Sequence, residues 1–156
     1  LFGDSRETVL EKLKASKFVE MTAAETFIGR TGLNGIFKTR SQVGGLDASL
    51  YFGWNDEGGL SEISLQTEAL PASQLESTLK PCWKEFIPLL TNLYGKPIHA
   101  NDHLQLSGIA DGAMNGTHLW KLEGKGSAML GAAREGDNYQ IVVRFTTKNI
   151  EPVPLP

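Results

Sequence analysis

One cysteine, three histidines and no apolar run long enough to cross a bilayer leave this chain short of the residues that usually announce a function. Cys82 is alone, which excludes an internal disulfide, and it sits on the apolar side of a helical pattern as a small buried hydrophobe would. No basic or helix-start environment surrounds it to favour a reactive thiolate. Basic excess is missing too: 15 Lys and Arg face 18 Asp and Glu, for a net charge of −3. Residues 1–78 hold seven basic and eleven acidic side chains, and residues 79–156 hold eight and seven. Neither half carries the footprint that phosphate backbones require, so nucleic acid is not an expected partner. There is no signal-peptide core and no transmembrane segment, so no membrane-spanning role is expected. The chain starts at Leu1 without an initiator Met, which a cleaved export signal or a larger parent protein would explain.

What is present describes a globular domain. Hydrophobic residues make up 40% of 156, and seventeen glycines promise many turns. Asp4 followed by Glu7 fits the helix-start pattern that satisfies orphan amides, and Val9, Leu10 and Leu13 continue it as a short amphipathic helix over 5–15. Phe18 to Ile28 reads as a first extended segment. Asn34-Gly35, Gly44-Gly45 and Gly58-Gly59 mark turns between strands at 36–40, 49–54 and 60–67. The last alternates Ile63 and Leu65 with Glu62, Ser64 and Gln66, as a half-buried antiparallel strand does.

After Pro71 the period lengthens. Leu75, Leu79, Cys82, Trp83, Phe86, Leu90 and Leu93 fall on one helical stripe, with a break expected near Pro81, a bend near Pro88, and a stop at Gly95 and Pro97. Further strands are expected at 98–109, 117–122, 127–134 and 139–147. The fold class predicted is therefore α+β: two helix-plus-antiparallel-meander units (α-β4-α-β4) with helices packed on one face of the sheet. Residues 1–150 form the domain, 1–70 and 71–148 a pseudo-repeat, and 151–156 an extended tail.

Several motifs invite a chemical reading. Phe2-Gly3-Asp4-Ser5 resembles the nucleophile block of the GDSL hydrolases, and Gly53-Trp54-Asn55-Asp56 matches that superfamily's Gly-X-Asn-Asp block. The resemblance implies Ser5 as nucleophile with Gly53 and Asn55 at an oxyanion hole. However, no buried strand precedes Ser5, no Asp-X-X-His block follows, and hairpin turns argue against the parallel sheet that chemistry needs. His99 and His103 flank Asp102, with His118 and Asp111 as further ligand types, but Pro97 and the alternation of Ile98, Leu104 and Leu106 argue against the helix that would align them. Gly124-Lys125-Gly126 and Gly44-Gly45 lack the strand-to-helix setting of phosphate loops. No catalytic residue, metal or cofactor is expected.

The opening Gly3-Asp4-Ser5-Arg6, a meander, and a second helix closing on Tyr94-Gly95-Lys96-Pro97 resemble exported bacterial domains of the beta-lactamase-inhibitor-protein-like type. That group is similar to the small outer-membrane assembly lipoproteins. The resemblance implies export, to the periplasm or beyond, and protein binding. The cysteine pairs of the inhibitor and a lipid-attachment cysteine are both missing here.

From the residues alone, the expected role is noncatalytic binding of a protein or cell-envelope partner through a wet strand face. Tyr51 is the expected aromatic anchor, with Lys38, Arg40, Glu62, Gln66, Lys121, Gln140 and Arg144 as polar contacts. The alternative is a small-molecule-binding or hydrolytic domain whose pocket lies between sheet and helix, lined by Trp54, Trp83 and Trp120. Oligomeric state is left open.

Overall fold

A computed structural model describes residues 1–22 and 33–148. The tail at 151–156 and most of the extended segment expected at 18–28 lie outside the described residues. Ser5 caps α1 (Arg6–Ala15), its side chain accepting from the Thr8 amide. The cap is thus one residue later than the Asp4-X-X-Glu7 pattern suggests, because the Asp4 carboxylate is engaged 2.6 Å from Lys12 Nζ. Among the described residues nine strands follow: β1 (Val19–Met21), β2 (Phe37–Thr39), β3 (Ala48–Trp54), β4 (Leu60–Thr67), β5 (Leu70–Pro71), β6 (His99–Ala100), β7 (Met114–Lys121), β8 (Ser127–Glu135) and β9 (Asn138–Thr146). A longer helix, the second among the described residues and here α2 (Lys80–Tyr94), separates β5 from β6.

The strands form one open antiparallel sheet in the order β1-β2-β3-β4-β9-β8-β7-β6, with β5 also pairing β9. This corrects the expected α+β class and its two helix-plus-four-strand units. Among the described residues strand accounts for 38% and helix for 24%, so sheet outweighs helix. The two parts of the chain are also not separate meanders. β9 is laddered to β4 through Glu62–Gln66 and Thr146–Val142, and Leu70 of β5 lies opposite Tyr139. The physical reason is that β4 and β9 carry the same alternation, so pairing Ile63 with Phe145 and Leu65 with Val143 keeps both apolar rows on one side.

Two proline effects shape the helical segment. An α-helical carbonyl at Ser77 would meet the Pro81 ring, which also lacks an amide to donate. The backbone instead widens into a π turn over Leu75–Leu79, with the Lys80 amide bonded to Leu75 O, so Pro81 falls in the first turn of α2. At Pro88 the helix continues. Lys84, whose carbonyl loses its partner there, is exposed like Pro88, so water can meet the free group. Gly95 ends α2 at φ +86°, its amide bonded to Thr91 O at 2.8 Å.

The larger core packs Leu79, Cys82, Trp83, Phe86 and Leu90 of this segment onto Trp120, Leu130, Ile141 and Val143. Leu93 does not join its stripe and is 70% exposed. Residues 98–109 are a second correction: only His99–Ala100 is strand, and Leu104, Leu106 and Ile109 plug the larger core from a loop. A smaller cluster gathers Val9, Val19, Leu33, Ile36, Phe37, Phe52 and Leu60 beneath α1. Register places both clusters on the same side of the sheet, since Phe52 lies opposite Ile63, Ile63 opposite Phe145, and Phe145 opposite Ala128. We call this the helix face. Among the described residues, no helix is long and apolar enough to cross a membrane.

Candidate functional site

Side chains alternate across a strand, so the ladder registers also define the opposite, outer face. One row across it runs Glu20, Lys38, Ser49, Gln66, Val142, Gly131. A second runs Tyr51, Ser64, Arg144, Met129, Leu119, and a third Gly53, Glu62, Thr146, Ser127, Lys121. Six of the candidates, Lys38, Gln66, Tyr51, Arg144, Glu62 and Lys121, therefore share a face. Gln140 joins them by donating to Gln66 Oε1 at 2.8 Å, and Arg40 by reaching Glu20 at 3.5 Å. All eight lie on the outer face, contributed by β2, the turn after it, and strands β3, β4, β7 and β9.

The polar groups there are largely paired with one another across strands. Arg144 Nε donates to Glu62 Oε1, Gln66 Nε2 donates to Ser64 Oγ at 3.1 Å, and Lys38 lies 3.5 Å from Glu20. Toward β8 and β7 the face turns apolar: Val142 and Leu119 are buried, and Met129 reaches across Gly116, where an added Cβ would lie 2.5 Å from its sulfur. Tyr51 is half-buried, with its hydroxyl 3.6 Å from where a Gly35 Cβ would sit, at a turn whose φ of +75° favours glycine. The face thus offers an ordered polar half and an apolar half that carries the Met129 thioether.

On the helix face, a cavity of about 400 Å³ opens between the two core clusters. Ile63 and Phe145 form its floor, Phe2 and Tyr94 its walls, and Leu122, Glu123 and Lys125 of the β7–β8 hairpin its rim, with Leu1 alongside. Tyr94 meets Phe145 edge to face at 6.0 Å, and burial pushes its phenol pKa up. A second hollow of about 520 Å³ shares Tyr94, Leu122 and Glu123 and adds Leu93, Lys121 and Gly124. The tryptophans expected to line such a pocket do not. Trp83 and Trp120 are closed inside the larger core, and Trp54 stacks on Phe52 with the Arg6 guanidinium 5.6 Å above its ring.

Sequence reasoning missed the buried polar centre beneath α2. A bulge between Gly116 and His118 turns two consecutive side chains, Thr117 and His118, toward the core. Trp83 Nε1 donates to Thr117 Oγ1 at 2.9 Å, and that hydroxyl donates to Leu130 O at 3.1 Å. His118 Nδ1 lies 2.9 Å from the same oxygen. With its proton given to Leu130 O and one lone pair taken by Trp83, the hydroxyl is left to accept from a His118 Nδ1–H. The imidazole is stacked on Trp120 and edge-on to Trp83, both at 5.7 Å. Burial lowers its pKa, against a raising influence from Asp102 and with a lowering one from His99. The only signal in the sequence is Gly116, which a bulge accommodates.

The other chemical candidates are occupied otherwise. Ser5 Oγ is spent on the α1 cap, and Asn55 Oδ1 accepts from Glu57 and Gly59 within its own turn, so neither is arranged for acyl transfer. Asp111 accepts from Gly136, while the His103 amide donates to Asn101. Among the described residues no group of three His, Cys, Asp or Glu could hold a metal ion. The Cys82 thiol is fully buried, donates to Val43 O, and has its pKa pushed up to about 12, chiefly by desolvation. Against known proteins, the chain matches no family model, no curated protein and no solved structure.

Proposed function

We propose that this chain is a noncatalytic binding domain that docks a protein partner on its outer sheet face, and that it works as an exported, cell-envelope-associated protein. The observation that carries the docking is the convergence of Tyr51, Lys38, Arg40, Glu62, Gln66, Lys121, Gln140 and Arg144 on the face away from α1 and α2. Eight strands spaced about 4.8 Å apart span roughly 34 Å. With strands of seven to nine residues at its centre, that face approaches the ~800 Å² per partner of a standard interface. Cross-strand pairing holds the polar side chains in place before a partner arrives, which reduces the ordering cost of association. Tyr51 and Met129 supply rigid and adaptable apolar contacts respectively. The export reading leans on the resemblance in element order and on nothing in the binding face.

The test compares pull-downs from an envelope fraction using wild type, a Tyr51→Ala/Lys38→Glu double variant, and a Glu11→Lys control on α1. A partner retained by wild type and the control but lost by the double variant supports the reading. A set of retained proteins indifferent to the double variant refutes it.

A further inference from the structure

We infer that the cleft between the two core clusters is a binding site for a small anionic amphiphile, an aliphatic carboxylate whose chain lies on Ile63 and Phe145 and whose head meets Lys125. This site opens on the helix face, and its rim meets the edge of the docking surface proposed above at Lys121, while Lys125 and the apolar lining belong to the cleft. Three aromatic rings and two aliphatic side chains, Phe2, Tyr94, Phe145, Ile63 and Leu122, line an open cleft of about 400 Å³, within the range of small-ligand sites. Ligand sites of this kind pair an apolar body with a few polar groups at one end. Here the polar end is the β7–β8 hairpin, where the cleft meets the adjoining hollow.

Charge selects the head group. Around the two contiguous hollows the charged side chains are Lys121, Lys125 and Glu123. Among the described residues none of the three is held in an ion pair. The mouth is therefore locally positive on a chain whose net charge is −3, and an anion is the head it favours.

Calorimetric titration with hexanoate, octanoate, decanoate and octylammonium tests the inference. Octanoate should bind, each added methylene should tighten binding roughly fourfold, and octylammonium should bind at least about tenfold more weakly. Lys125→Glu, at an exposed position, should weaken octanoate by about tenfold and narrow or reverse the preference over octylammonium. Leu122→Trp should abolish binding by filling the cleft, with circular dichroism confirming an unchanged fold. If Leu122→Trp unfolds, Lys125→Glu alone decides. Equal affinity for both head charges, no heat with any of the four compounds, or indifference to Lys125→Glu overturns it.

Discussion

The two faces of β9 lie on one backbone and obey different rules. Toward the helices point Tyr139, Ile141, Val143 and Phe145, which join the larger core with Trp83 and Trp120. Outward point Gln140, Val142, Arg144 and Thr146, where only Val142 is a buried hydrophobe and the long side chains are held by Gln66 and Glu62. The helix face is stabilised by area removed from water. The outer face is stabilised by pairing that nearly breaks even against solvation, which leaves it free to be specialised for contact. Burial and polar pairing are thus separated by a strand's two-residue period.

Truncation should expose the difference most strongly. Trp83→Ala removes a side chain that is 1% exposed and leaves Thr117 without its indole donor, so a loss of about 3–5 kcal/mol is expected. That is a large share of the ~5–15 kcal/mol typical of a domain. Tyr51→Ala on the outer face should cost about 1 kcal/mol. Urea denaturation of both variants checks the contrast, and equal losses would erase it.

A smaller effect comes from acid, and it also belongs to the helix face. Burial lowers the His118 pKa in the folded state, while the unfolded chain keeps about 6.5. Below about pH 6.5 the unfolded state therefore binds more protons, so stability is full at pH 8 and declines toward pH 5. Asp4, whose carboxyl is depressed below 3.8 chiefly by Lys12, loses its contribution only at lower pH and stays out of this window. His118→Phe keeps a ring between Trp83 and Trp120 but has no proton to gain. Its melting temperature should fall less than wild type between pH 8 and pH 5, and parallel falls would remove His118 as the cause.

How far each face could be read in advance follows from the same period. The alternation in β4 and β9 was legible because one side of each is buried against side chains of similar size, so Ile63, Leu65, Val143 and Phe145 declare themselves. The shared side of Lys38, Tyr51, Glu62, Gln66, Gln140 and Arg144 follows from the same alternation, read from the polar positions. What period two could not show was how the strands would join. The ladder between β4 and β9 merges what reads as two meanders into one sheet, and nothing local in either strand names its partner. Ile98, Leu104, Leu106 and Ile109 imitate a strand because a core-plugging loop also needs spaced hydrophobes. Thr117 and His118 defeat alternation outright, since the bulge at Gly116 sends neighbours to the same side. The cleft was expected between sheet and helix, but its lining was assigned to the three tryptophans. Two of those are too fully packed to line anything, and the true lining comes from segments distant in sequence.

The smallest effect sharpens the comparison from the outer side. Glu62 and Arg144 are cross-strand partners through the Glu62–Thr146 and Ser64–Arg144 registers, with side chains 30% and 42% exposed. Water screens such a pair, so a double-mutant cycle with Glu62→Gln and Arg144→Gln should return a coupling of about 0.2–1 kcal/mol at low salt, smaller still in 1 M salt. Desolvation would have to be far greater for a larger value to arise. A coupling above about 3 kcal/mol that persisted in high salt would mean that the pair is closed off from water in solution, and the outer face would then already be covered rather than waiting for a partner.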